Sequence, residues 1–124
     1  MYRGFRSKKQ ALKTLFKFIF FVLHTDSMIQ NKKVVALFPG QGSQFVGMAK
    51  ELYEAFPFVR TLFEELDDTL SFNLSKVIFE GPAETLMLTE HTQPALMAVS
   101  IAVFRTMQHM GLDTQYFSYM AGHS

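Results

Sequence analysis

The sequence contains no cysteine and no tryptophan. Without cysteine there is no disulfide scaffold, no cysteine-ligated zinc site and no thiol nucleophile. The four histidines, His24, His91, His109 and His123, lack the spacing of metal ligands on one helix. A net charge of +1 gives no indication of the basic surface that binds nucleic acid. We therefore expect no metal site and no nucleic-acid partner.

A long hydrophobic run is also missing. The most apolar stretch, residues 18–23, falls far short of the roughly 20 residues that a membrane span requires. Hydrophobic residues still make up 48% of the chain and charged residues only 19%, which excludes intrinsic disorder. A chain of 124 residues is long enough for one small domain. We expect a single packed domain without a transmembrane segment.

Residues 1–27 differ in composition from the rest. They hold six basic side chains and one acid, a net charge of +5, which leaves −4 for residues 28–124. A secretory signal, an organellar transit peptide and a basic surface helix each explain only part of this pattern. We interpret residues 1–27 as an extension outside the fold, with Met28 as an alternative start, and residues 28–124 as the domain. The expected location is the cytoplasm, or an organelle if the extension is a transit peptide.

From residue 34 onward the chain alternates strand, helices and strand. The apolar run 34–38 predicts a strand buried on both faces, and residues 115–121 predict a second strand. Apolar spacing predicts helical segments at 45–56, 57–70, 82–88 and 92–110. A short turn of helix or irregular chain is expected near residues 74–78. This order is typical of an α/β fold with a parallel sheet flanked by helices. Two strands are too few for a stable sheet, so we expect an incomplete, larger fold.

The helix patterns also predict where single residues lie. Leu70 closes the apolar stripe of the second segment, while the acids between Glu64 and Asp68 form a solvated face. Pro94 is expected in the first turn of the longest helix, where its missing N–H costs nothing, and Gly111 is expected to end that helix. The same helix is apolar nearly all round, which predicts burial on every side.

Each strand is followed by a glycine-containing turn. The first, residues 38–44, reads Phe-Pro-Gly-Gln-Gly-Ser-Gln. It is interpreted as an anion cradle, as half of an oxyanion hole, or as an ordinary strand-to-helix turn. Phe45 stands where a dinucleotide fingerprint needs its third glycine, and the P-loop lysine is absent. The second turn, residues 122–124, reads Gly-His-Ser and begins like the Gly-x-Ser-x-Gly nucleophile elbow.

Taken together, these turns and three further motifs resemble one family. The motifs are Gly47-Met48, Gly81-Pro82-Ala83-Glu84 and Thr92-Gln93-Pro94-Ala95-Leu96. In this order and spacing the chain resembles the malonyl-CoA:acyl-carrier-protein transacylases of fatty acid biosynthesis, from about residue 33 to residue 124. Acyltransferase domains of polyketide synthesis share much of the pattern and are the alternative. The resemblance implies an α/β-hydrolase-like acyltransferase domain.

The resemblance also implies roles for single residues. Ser124 is the nucleophile that carries the malonyl group from coenzyme A to acyl-carrier protein as a seryl ester. Gln41 supplies a backbone N–H to the oxyanion hole. Gln93 lines the substrate pocket, and His123 is assigned to substrate binding. His123 is not expected to be the base, because a residue next to the nucleophile points away from it on the elbow. No metal and no tightly held cofactor are implied.

The chain departs from the family pattern after Ser124. The second oxyanion donor, the base histidine, the arginine that holds the malonyl carboxylate and a ferredoxin-like subdomain would all lie further along. We therefore expect the 124-residue polypeptide alone to be inactive. It is a truncated product, one half of a split enzyme complemented by a C-terminal chain, or an incomplete sequence. The alternative function is non-catalytic binding to acyl-carrier protein or to a complementing half-enzyme. The choice among malonyl, methylmalonyl and acetyl groups stays open.

Overall fold

The structure, a computed structural model, describes residues 35–112 and 114–123. Within these ranges, strand β1 (Val35–Phe38) comes first and strand β2 (Tyr119–Gly122) comes last. The helices between them are α1 (Lys50–Ala55), α2 (Pro57–Leu70), α3 (Leu74–Glu80), α4 (Ala83–Leu86) and α5 (Thr89–His109), followed by a 3₁₀ turn at Thr114–Tyr116.

The two strands form a parallel pair. Val35 lies opposite Tyr119, and Phe38 lies opposite Gly122. Parallel neighbours require a long crossover connection, and all five helices belong to that connection. The α/β class with a parallel sheet flanked by helices is therefore confirmed. The second strand is shorter than the predicted 115–121, because the 3₁₀ turn occupies its first residues.

Only one face of this sheet is covered. The Phe38 ring lies 6.0 Å from that of Phe104 on α5, measured between ring centroids. On the opposite face Val35 is 40% exposed and Leu37 is 60% exposed. The prediction of a strand buried on both faces is wrong for the described residues, since none of their elements covers the Val35 and Leu37 side chains.

The hydrophobic core lies among the helices, around α5. Ala95, Val99 and Ala102 of α5 are completely buried, and their small side chains allow the other helices to approach closely. Larger side chains such as Phe63 of α2 fill the space against them. However, Met97 of α5 is 57% exposed, so the prediction that α5 is buried on every side is wrong. Within the described ranges no helix is both long and apolar enough to cross a bilayer.

Helix α1 begins later than its apolar spacing predicts. Gly47 and Ala49 have φ angles of +91° and +60°, which a right-handed helix does not accommodate. The helix therefore starts at Lys50 rather than at residue 45. Phe56 is extended, and Pro57 then opens α2 at a position where its missing N–H is harmless.

Helix α5 begins earlier than predicted. The N–H groups of His91 and Thr92 donate to the Leu88 carbonyl, so the first turn forms before the Thr-Gln-Pro motif. Pro94 consequently lies in the helix interior, and its expected place in the first turn is wrong. At the other end Gly111 adopts a φ of +97°, which ends the helix as expected.

The apolar stripe of α2 ends before the last residue of the helix. Leu70 was expected to close this stripe, but its side chain is 41% exposed.

One acid of α2 is not part of a solvated face. Asp67 accepts a hydrogen bond of 2.8 Å from the Ser75 backbone N–H and another from the Ser75 hydroxyl. Asn73 caps the start of α3, because its side-chain oxygen accepts a hydrogen bond from the Lys76 backbone N–H. Asp67 thereby connects α2 to the first turn of α3, where a carboxylate also favours the helix dipole.

Replacing Asp67 by alanine should lower the free energy of unfolding by about 1–3 kcal/mol, because two hydrogen bonds to a carboxylate are lost. Asp68→Ala is the matched control, since Asp68 follows Asp67 in the same helix and its side chain is exposed. Urea denaturation of both variants measures the difference. Equal midpoints for the two variants would show that Asp67 does not hold α3.

Candidate active site

The turns that follow β1 and β2 lie against each other. The His123 backbone N–H donates to the Phe38 carbonyl over 3.0 Å, which extends the parallel ladder by one bond beyond β2. A Cβ atom on Gly40 would lie 2.2 Å from the His123 carbonyl oxygen, well inside van der Waals contact. Glycine at position 40 is therefore required for the two backbones to come this close.

The first turn is held together by its own hydrogen bonds. The Gly40 carbonyl accepts from both the backbone N–H and the hydroxyl of Ser43, at 3.2 and 2.6 Å. The Gly42 N–H donates to the side-chain oxygen of Gln44 over 2.7 Å. By contrast, the Gln41 backbone N–H has no hydrogen-bond partner in the part of the chain that the structure describes. This N–H is available to an acceptor on a ligand.

The Gln41 side chain is already engaged. Its Nε2 donates to Oγ1 of Thr89, the first residue of α5, over 3.1 Å. The two residues are 48 positions apart in sequence, so the bond joins the turn after β1 to the start of the longest helix. The Gln41 side-chain amide is thus anchored to α5, while the backbone N–H of the same residue has no partner among the described residues.

A cleft of about 470 Å³ adjoins these turns. Its size falls within the usual range for small-molecule sites. Its walls are the end of β1, the following turn, one face of α5 and the residue after β2. The lining residues are Phe38, Pro39, Gly40, Gln41, Gln93, Leu96, Met97, Ser100, Ile101 and His123. Three of the residues predicted for the site, Gln41, Gln93 and His123, therefore come together, and the fourth, Ser124, lies outside the described residues.

Several further residues at this site were not among the predicted site residues. Met97, Ser100 and Ile101 follow Gln93 at intervals of four, seven and eight, so they share its helix face. Helical spacing from Gln93 could have identified them. Thr89 had no comparable signal, because its contact with Gln41 depends on the tertiary structure.

Two other histidines lie away from the cleft. Nδ1 of His91 is 2.9 Å from the Thr85 carbonyl, and its ring stacks on Phe72 with centroids 4.9 Å apart. The His109 ring packs against the rings of two phenylalanines near the end of α5. Both histidines therefore pack against neighbouring groups outside the cleft. Among the described residues, no three histidine or acidic side chains are grouped to hold a metal ion.

Similarity to known proteins identifies the family of this chain. The sequence model of the acyl transferase domain matches residues 35–124, most of the chain. The chain belongs to the acyl transferase domain family. Both glycine turns and the helical connection between them lie within this acyltransferase match.

The similar proteins within this family are named for malonyl transfer. Malonyl CoA-acyl carrier protein transacylase of Bacillus subtilis (strain 168) is 52% identical over 92 residues, which cover 74% of this chain and 28% of the relative. The crystal structure of acyl-carrier-protein-S-malonyltransferase from Bartonella henselae is 53% identical, with a TM-score of 0.71 over 76% of this chain and 30% of that one. The expected resemblance to malonyl-CoA:acyl-carrier-protein transacylases is confirmed.

A further solved structure shows a malonyl-transacylase in complex with a type II PKS acyl-carrier protein. It is 43% identical, with a TM-score of 0.68, and the match covers 74% of this chain and 29% of that chain. The chain thus spans less than a third of the length of these relatives.

Gly40→Ala should separate the two turns, because the added methyl group overlaps the backbone of His123. We expect the free energy of unfolding to fall by about 1–3 kcal/mol, as for other overpacked sites. Gly122→Ala is the matched control, since a Cβ there meets no atom within 4 Å. Urea denaturation of both variants provides the measurement. A Gly40→Ala chain as stable as Gly122→Ala would contradict the close contact.

Proposed function

We propose that this chain takes part in the transfer of a malonyl group from coenzyme A to the phosphopantetheine thiol of acyl-carrier protein. The observation that supports this most is the open backbone N–H of Gln41. It belongs to a turn that touches the backbone of His123, the residue before Ser124. A backbone donor and a cleft that both adjoin the residue before the proposed nucleophile suit the needs of acyl transfer.

In this proposal Ser124 attacks the carbonyl carbon of the malonyl thioester. The new C–O bond forms, the C–S bond breaks, and coenzyme A leaves as the thiol. The carrier-protein thiol then attacks the seryl ester, which breaks the C–O bond and restores the serine hydroxyl. The Gln41 N–H donates to the oxygen that becomes negatively charged in both steps. Loss of one such donor typically costs on the order of 100-fold in rate or more.

The cleft suits a small acyl group beside a longer thioester arm. Gln93 and His123 contribute polar groups, and we propose that they bind substrate. Leu96, Met97 and Ile101 supply apolar surface along α5. A mostly apolar wall with a few polar groups is typical of small-molecule sites, in which the polar groups set the orientation.

We also propose that the 124-residue polypeptide alone does not turn over. A serine hydroxyl is a weak nucleophile without an adjacent base, and the relatives are more than three times longer than the matched stretch. A second chain that supplies the remainder of the fold would complete the site. The exposed Val35 and Leu37 side chains offer such a chain an apolar sheet face.

The boundaries and location accompany this proposal. We propose that residues 1–27 lie outside the acyltransferase domain, which the family match from residue 35 supports. The cytoplasm is the proposed location, with an organelle as the alternative if residues 1–27 are a transit peptide.

A second candidate is non-catalytic binding to acyl-carrier protein or to a half-enzyme. It is favoured by the exposed sheet face and by the relative that is seen with a carrier protein. The partner in that relative belongs to polyketide synthesis, which keeps an acyltransferase of that pathway as a further alternative.

Mixing the full chain with the remainder of the Bacillus subtilis relative and malonyl-CoA tests the proposal. We expect peptide mass spectrometry to find one malonyl group on Ser124, absent in Ser124→Ala and retained in Ser118→Ala, whose exposed serine lies before β2. Binding of acyl-carrier protein without labelling would favour the non-catalytic alternative. A folded chain that shows neither result would contradict both functions.

A further inference from the structure

Thr89 begins α5 and lies at the edge of the candidate site. Its Oγ1 accepts the hydrogen bond from Nε2 of Gln41 at 3.1 Å. Among the described residues this is the one side-chain hydrogen bond that joins residues 39–44 to a helix. The other side-chain bonds of this turn, from Ser43 and to Gln44, stay within the turn.

Two contacts tie the turn to elements outside it. Gly40 packs on the backbone of His123, and Gln41 is tied to Thr89. The internal bonds maintain the shape of the turn but do not orient it relative to the helices. Gln41 is itself exposed, so close packing does not restrain it. Without the Thr89 hydroxyl, Gln41 would keep its neighbours along the chain and lose its anchor to α5.

Orientation of Gln41 matters because of its open N–H. A backbone donor contributes to catalysis only when it is directed in advance at the position where negative charge develops. Fixing the side-chain amide at Thr89 limits how far the Gln41 Cα atom, and with it the backbone N–H, can move from α5. A loosened turn would retain the donor and lose part of this preorganisation.

We propose that Thr89 is a positioning residue that acts through Gln41. Its hydroxyl holds the Gln41 side chain and thereby keeps the Gln41 backbone N–H in place as the oxyanion donor. This role rests on the proposed function, since it assigns a task to that donor. Thr89 itself touches no reacting atom.

The full chain, mixed with the remainder of the Bacillus subtilis relative, provides the kinetic test. Thr89→Val should slow the maximal rate of malonyl-serine formation about tenfold and leave the half-saturating concentration of malonyl-CoA unchanged, because only transition-state binding is weakened. Thr89→Ser keeps the hydroxyl and should restore most of the rate. Thr61→Val is the matched control, since among the described residues the Thr61 hydroxyl bonds only to the Pro57 carbonyl of its own helix. A Thr89→Val chain as fast as the parent overturns the proposal.

Amide NMR of the same chains separates this proposal from the proposed function. If the parent mixture forms no malonyl-serine, the proposed function fails, and the role of Thr89 is decided by the Gln41 backbone N–H signal. We expect Thr89→Val, and not Thr89→Ser or Thr61→Val, to raise the mobility of that N–H. A Gln41 signal that is unchanged in Thr89→Val overturns the positioning role.

Discussion

Parallel pairing of β1 with β2 is the constraint on which the rest of the site depends. The strands are separated by 80 residues of crossover, yet their ends meet in register, with Phe38 opposite Gly122. One more bond, from the His123 N–H to the Phe38 carbonyl, carries the pairing past the end of β2. Because the carboxyl ends of parallel strands meet at one edge, the two turns that follow them become neighbours. Ligands of α/β folds bind at such an edge.

The long helix α5 connects this edge to the hydrophobic core. Its buried face, which includes Ala95, Val99 and Ala102, packs among the other helices. Its Gln93 face lines the cleft, and its first residue, Thr89, binds the side chain of Gln41. One rigid element thus supports the core, a wall of the cleft and the anchor of a turn. Sites carried on such elements are held more accurately than sites on loops alone.

Sequence patterns predicted the strands, the two glycine turns and the grouping of Gln41, Gln93 and His123. The strands and turns follow from local apolar runs and turn residues, whereas the grouping of the three site residues was implied by the resemblance of the motifs to one family. Sequence patterns did not predict the delayed start of α1, because an alanine gives no indication of the positive φ that Ala49 adopts. They also missed the Gln41–Thr89 bond, since a contact across 48 positions has no periodic signal. Tertiary geometry, which sequence spacing does not encode, determines both.

Amide hydrogen exchange measures whether the two turns lie against each other while the Gln41 backbone N–H stays without a partner. We expect slow exchange at the His123 N–H, which is bonded to Phe38, and fast exchange at the Gln41 N–H, which has no partner among the described residues. Exchange of His123 as fast as that of Gln41 would mean that the strands do not hold the turns together. The candidate site would then lose its basis.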